Sequence, residues 1–374
     1  MNKTTKIILG IVVAIIVIGG IWYGASKKPK ETIKIGVIGP LTGDIAEYGQ
    51  NIKNAVDLAL EEINNTGGIN GRKLQLIYED HACEPSKAVT AIRKLINIDK
   101  VDLILSEACS SPALAMAPIA EQEHKLLMLC TESNYKIKDA GDYIFRVYPS
   151  DAFQGKKLAE MISSKEYKNV ALIYINNDYG LGLKKVFEAE FLKLGGKTLI
   201  TETHQMGATD FRSQITKIKA TKPEVIVLAE HPKDGALIMK QLQELGVNVP
   251  IYGSDAMKDE VVIQTAGSAA ENLITVFPVH PKGADYDQFE LVYKNKYGKI
   301  PEGYALYGYD ALKLIALIID KVGLDPIKIK DELYKVKDYK GVTGVIGFDD
   351  FGERISVDYN VYMIKNGQFV PYEE

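Results

Sequence analysis

The residues best placed to do chemistry follow short apolar runs. After Val101–Leu105 comes Ser106-Glu107-Ala108-Cys109-Ser110-Ser111-Pro112. A serine caps the free backbone N–H groups at a helix start, and proline suits the first turn. Ser110 or Ser111 is therefore expected to cap a helix here. Such a start presents N–H groups, hydroxyls and partial positive charge, which together suit a carboxylate. Capping alone accounts for one serine. A second candidate is Gly39-Pro40-Leu41-Thr42-Gly43-Asp44-Ile45-Ala46-Glu47-Tyr48-Gly49, which links the apolar run Ile33–Ile38 to a helix over 49–64. In open α/β sheets, ligands bind outside such carboxyl strand ends; an ordinary connecting loop is the alternative. Cys83 and Cys109 each lie just past an expected strand end. If those strands are neighbours, both thiols emerge on one sheet edge and can meet; three free thiols are the other reading. Cys130 ends an apolar run and reads as a buried free thiol.

Other chemistries lack their residues. His81, His124, His204, His231 and His280 show no metal-ligand spacing with one another or with cysteine. There is no GxSxG elbow and no GxxxxGK[ST] loop. Gly36, Gly39 and Gly43 follow the first strand without the dinucleotide spacing. No catalytic residue, metal or cofactor is expected. With 46% apolar residues, a net charge of −4 and pI ≈ 5.9, the chain is neither disordered nor a basic nucleic-acid binder.

Strand-like runs recur at Ile33–Ile38, Lys73–Glu79, Val101–Leu105, Leu126–Leu129, Val170–Ile175, Val225–Ala229 and Leu273–Phe277. Helical periods lie between them: Ile52, Ala55, Val56, Ala59 and Ile63 share one helix face, and the turn cluster 64–68 ends that helix. Further helical stretches are expected over about 86–98, 112–124, 153–163, 181–194, 211–220, 235–245, 286–297 and 305–322. Alternation of nearly continuous apolar strands with helices predicts parallel sheets covered on both faces. The pattern pauses near Val147–Asp151 and restarts, so two such units follow each other.

The first thirty residues differ in kind. They hold Lys3, Lys6, Lys27, Lys28 and Lys30 and no acid, so from Glu31 onward 40 bases face 49 acids, a balance of −9. Ile7–Ala25 is uncharged over 19 residues, long enough to span a bilayer, with Trp22 and Tyr23 at its outer end. This predicts a cytoplasmic N-terminus (1–6), a transmembrane anchor (7–25), a polar tether (26–32) and a body outside the cell. Secretion after signal cleavage is the alternative.

Several segments carry a resemblance. YEDHACEPSKAVTAIRKLI (78–96) and SEACSSPA (106–113) resemble the branched-chain amino-acid-binding proteins of ABC importers, the periplasmic-binding-protein type I family. So do residues 33–76 (IKIGVIGPLTGDIAEYGQNIKNAVDLALEEINNTGGINGRKLQL), NDYGLGL (177–183), IYGSDAM (251–257) and YALYGYDALKLIALI (304–318), in consistent order over about 33–320. The resemblance implies an α/β fold of two doubly wound, Rossmann-like lobes joined by three crossing strands. Lobe 1 would hold 33–149 and 279–347, and lobe 2 would hold 150–278 and 348–374.

By the same resemblance, Cys83 and Cys109 form a disulfide and Ser110 binds the α-carboxylate of an amino acid. Asp255 pairs with its ammonium, Tyr179 closes over it, and Tyr48 is the aromatic of the first loop. Tyr307 or a neighbour lines the side-chain pocket. Ser111 is a further contact from the serine pair. Where the family often has a Ser-Pro-Ala-Ala-Thr type of loop, this chain has Cys130-Thr131-Glu132-Ser133-Asn134. Ser133 is expected at the carboxylate and ammonium. Glu132 would either read a polar or cationic ligand side chain or point to solvent. Glu230 and His231 stand where an aromatic wall is common, which departs from the apolar side-chain pocket of a leucine binder, and Glu132 and His231 leave polar or basic amino acids and small amides open as ligands. The expected function is capture of an amino acid, branched-chain by resemblance, for delivery to a membrane permease and ATPase of an ABC importer, by a monomer that is no enzyme. The alternative is a ligand-sensing module of the same fold.

Overall fold

A computed structural model of the chain describes residues 31–301, 303–355 and 357–373. The expected anchor at 7–25, with the segments on either side of it up to Lys30, lies outside the described residues. Among the described residues, no helix is long and apolar enough to cross a membrane.

Two sheets organise the body. The first holds β1 (Ile33–Gly39), β2 (Leu74–Asp80), β3 (Leu103–Ser106), β4 (Leu126–Leu129) and β5 (Ile144–Arg146), all parallel, in the order β2-β1-β3-β4-β5. The second holds β6 (Asn169–Ile175), β7 (Lys197–His204), β8 (Val225–Ala229), β9 (Ile251–Gly253) and β10 (Ile274–Pro278), in the order β7-β6-β8-β9-β10. These five are parallel. β13 (Tyr359–Lys365) and β14 (Gln368–Pro371) extend that sheet antiparallel beyond β10. A small hairpin, β11 (Tyr339–Gly341) with β12 (Gly344–Ile346), stands apart. Central strands such as β4 and β8 are wholly buried, because helices cover both faces. The expectation of two parallel α/β units is met.

Both sheets reverse their winding at the same place in their order. The first does so between β1 and β3, the second between β6 and β8. Such switch points leave a crevice at the carboxyl ends of the strands. The chain returns to the first unit after β10: helices Ala284–Tyr297 and Ala305–Val322 join its core through Phe289, Tyr293, Leu312 and Ile315. Gly308 lets the second of these lie against helix Ala46–Asn65, since a Cβ there would fall 2.6 Å from Ile52 Cγ2. The chain thus passes between the units three times, at residues 147–150, 279–283 and 347–358. These passes are stitched together. Buried Arg146 pairs with Glu353, Arg354 Nη1 donates to the Val147 carbonyl (3.0 Å), and Val279 N donates to the Asp358 carbonyl (2.8 Å).

Cys83 and Cys109 are joined, with Cα atoms 5.6 Å apart. The condition set for them from the strand pattern fails, however: β2 and β3 are not neighbours, because β1 lies between them. The loops beyond the strand ends close that gap by turning inward over β1, with positive φ at Ala82, Cys83 and Ala108. His81 reinforces the bridge. Its Nε2 donates to the Glu107 carbonyl (3.1 Å) and its Nδ1 accepts from Cys83 N (2.9 Å), which defines a neutral tautomer. Cys130 is a buried free thiol.

Candidate functional site

Six carboxyl strand ends contribute to one cleft. Ile45 and Tyr48 follow β1, Ala108 follows β3, and Thr131 and Ser133 follow β4. From the other unit, Tyr179 follows β6, His231 and Pro232 follow β8, and Asp255 and Ala256 follow β9. Tyr304, on the return pass, completes the lining of a cavity of about 40 Å³. A further space of about 150 Å³ shares Ile45, Tyr48, His231 and Pro232 with it and is edged by Asp44, Glu47, Asp234 and Asp259.

The lobes touch across this cleft. Asp178 N donates to Ser111 Oγ (3.0 Å), the Asp178 carbonyl accepts from Asn134 Nδ2, and Tyr48 OH donates to the Ala256 carbonyl (3.5 Å). The residual volume holds only a few waters. This is a closed arrangement.

Asp255 is the acidic centre. Tyr148 OH donates to its Oδ2 (2.5 Å); Tyr179 OH (3.0 Å) and Ala256 N (2.7 Å) donate to its Oδ1. Burial raises its pKa, and these three donors work against the rise by favouring the charged form. Asp151 lies near enough to raise its own pKa further through Asp255, after the larger effect of burial. A cation against Asp255 would offset its charge and so ease the effect on Asp151 as well. From the other unit Ala108 joins the lining, and helix Ser110–Gln122, whose leading N–H groups lack intrahelical partners, begins two residues later.

The serines do not cap that helix. Its N-cap residue is Cys109, which makes no side-chain cap bond, so Ser110 and Ser111 are its first two residues. Ser110 Oγ accepts from Asn134 N (3.3 Å) instead and does not line the cavity, although that bond leaves its proton available to another acceptor. Ser111 serves the interlobe bond. Tyr48, Ser133, Tyr179, His231 and Asp255 are brought together around the cavity.

Glu132 is not there, and it points neither to a ligand nor to solvent. It is buried beneath the cleft, where Ser106 Oγ and Thr131 N donate to its carboxylate. Burial raises its pKa. Tyr307 also lies behind the wall, hydrogen-bonded to His280 Nε2 (3.1 Å) and packed on Tyr148, and its neighbour Tyr304 is the aromatic that faces the cavity. One helical turn separates the two, so the sequence pattern alone does not choose between them. Tyr148, which pairs with Asp255, went unmarked in the sequence because it sits in the irregular pass after β5.

His231 stacks on Tyr179 at 5.4 Å between ring centroids, and its removal from water lowers its pKa to about 4. Behind it, His204 Nε2 lies 2.9 Å from Glu230 Oε2. His204 Nδ1 donates to the Gln205 carbonyl (2.9 Å).

These lobes and their crevice match the family model described as periplasmic binding protein over residues 32–368, and the chain belongs to that family. Among its relatives, a leucine-, isoleucine-, valine-, threonine- and alanine-binding protein of Pseudomonas aeruginosa is 28% identical over 371 residues, with 97% of each chain covered. An amino acid binding protein of the same organism is 30% identical over 346 residues, covering 91% of this chain and 92% of its own. Among solved structures, a leucine binding protein from Thermotoga maritima superposes with a TM-score of 0.86 at 29% identity, covering 91% of this chain and 98% of its own. A branched-chain amino acid transporter substrate binding protein from Streptococcus pneumoniae, in complex with isoleucine, gives 0.81 at 28% identity, covering 91% and 100%.

Proposed function

We propose that the protein captures a free amino acid with an aliphatic side chain, branched-chain in the first place, between its lobes and hands it unchanged to the membrane permease and ATPase of an ABC importer. The observation that carries this is the opposition of charges across one cavity. Asp255 lines it from one unit, Ser133 and Ala108 line it from the other, and the helix whose N-terminal turn carries partial positive charge begins at Ser110, two residues beyond Ala108. A zwitterion is costly to desolvate unless both ends are paired, and this arrangement offers a partner to each. Ile45, Ala108, Pro232, Ala256 and the rings of Tyr48 and Tyr304 supply apolar surface for the side chain. The burial of Glu132 favours this over a cationic ligand. On this reading lobe 1 comprises 33–149 and 279–347, lobe 2 comprises 150–278 and 348–374, and the apolar segment 7–25 tethers the body outside the membrane.

Calorimetric titration of the full chain with leucine, isoleucine, valine and alanine, beside basic amino acids and amides, tests the reading. Asp255→Asn removes a charge-assisted bond and should weaken amino-acid binding by about 1.5–3 kcal/mol, roughly 10- to 150-fold in Kd. The reading fails when no amino acid binds, or when Asp255→Asn leaves the affinity unchanged.

A further inference from the structure

We infer that lobe 2 carries a divalent transition-metal site built from His204, Glu230 and Asp234. Glu230 and Asp234 are four residues apart, but His204 lies 26 residues before Glu230, so no histidine–cysteine ligand spacing announces the set. The fold gathers them at one sheet edge: His204 ends β7, Glu230 follows β8, and Asp234 sits in the first turn of helix Pro232–Glu244. All three are buried, and one donor atom from each lies within 4.8 Å of the others. One imidazole nitrogen and two carboxylates form a mixed N,O set, which suits zinc, cobalt or manganese better than calcium or magnesium.

Three further observations point to a ligand rather than to a polar cluster satisfied within itself. Glu230 is 0% exposed, yet among the described residues its Oε1 has no hydrogen-bond partner. A buried carboxylate oxygen left so is costly, and a cation would remove the cost. Next, His204 is already oriented as a metal-binding histidine is. Its Nδ1–H is held by the Gln205 carbonyl, which turns Nε2 toward the carboxylates. Finally, Asp234 is held from behind by Gly207 N, which donates to its Oδ2 at 3.2 Å. Ligand atoms about 2.0–2.2 Å from a metal stand roughly 3–3.6 Å apart. The His204–Glu230 pair, at 2.9 Å, would open slightly to that spacing, and Asp234, within 4.8 Å of both, would close by about an ångström. Asp234 also edges the 150 Å³ space at the cleft, which gives a metal its way in.

The site is distinct from the amino-acid cavity, so its test does not depend on the amino-acid reading. The untagged full chain is stripped with a chelator and titrated with Co²⁺ alone, read by ligand-field absorption. One equivalent per chain should bind, Zn²⁺ should displace it, and Zn²⁺ should raise the melting temperature of the stripped protein. His204→Asn should abolish the absorption bands. Asp234→Asn, at the edge of the cluster and easier on folding, should weaken Co²⁺ about tenfold. Circular dichroism identifies a variant that does not fold, in which case the other decides. The inference is overturned if the stripped wild-type chain develops no Co²⁺ bands, or if the bands persist unchanged in the folded variants.

Discussion

Acid should loosen the disulfide corner of lobe 1 through a single imidazole. His81 is wholly buried, donates from Nε2 to the Glu107 carbonyl and accepts at Nδ1 from Cys83 N. A second proton has no place there: it would displace the Cys83 N–H bond and put a charge in a dry site. Burial accordingly holds the imidazole at about 4, against about 6.5 in an unfolded chain. Between those values the unfolded chain binds more protons, so stability is full above about pH 6.5 and falls as the pH drops toward 4. The loss is about 2 kcal/mol between pH 8 and pH 5, and about 3.4 kcal/mol once both states are protonated. Urea unfolding of wild type and His81→Gln at pH 8 and pH 5 isolates this share, because every other group titrates in both proteins. The wild type should lose about 2 kcal/mol more than the variant over that interval. Equal losses in the two proteins would refute the reasoning.

Removing the bridge by Cys83→Ala with Cys109→Ala opens a loop with a sequence separation of 26, which in the chain-entropy model costs about 3.5 kcal/mol; an unchanged urea midpoint would contradict it. Arg146→Ala leaves Glu353 charged and buried without its partner, and should cost about 3–5 kcal/mol in thermal unfolding; a loss under about 1 kcal/mol would show that this joint between the lobes is not held by the pair. Gly49→Ala places a Cβ 2.2 Å from the Pro40 carbonyl oxygen, main chain that cannot step aside. It should destabilise by roughly 1–3 kcal/mol and weaken ligand binding by shifting Tyr48; a variant as stable as wild type would mean that the loop yields.

Much of the architecture is legible in the sequence because parallel strands buried on both faces leave unmistakable apolar runs. Leu126–Leu129 and Val225–Ala229 coincide with β4 and β8, and the period over 305–322 coincides with a helix. What periodicity hides is what depends on neighbours. β5 and β9 are three residues each, too short for a pattern. Partly polar β7 (Lys197–His204) was not among the runs singled out, since its interior is only half-buried. The disulfide illustrates the same limit: Cys83 and Cys109 are joined, but β1 separates the strands that precede them, and turns with positive φ at Ala82, Cys83 and Ala108 make up the difference. At the site, Asp255, Tyr179 and Ser133 lie around the cavity, whereas Glu132 and Tyr307 lie behind it. A strand end marks a residue as near the crevice, but which way its side chain turns depends on partners such as Ser106 and His280 from other segments.

The grip on Asp178 has a consequence of its own. Ser111 and Asn134, both from lobe 1, hold its amide nitrogen and its carbonyl and leave its carboxylate out of the clasp. The latch therefore reads the course of the main chain rather than the identity of residue 178. A change of that side chain leaves both bonds of the clasp in place, while the ease of springing open is tuned from the opposite jaw, at Asn134, which stands outside the lining of the cavity.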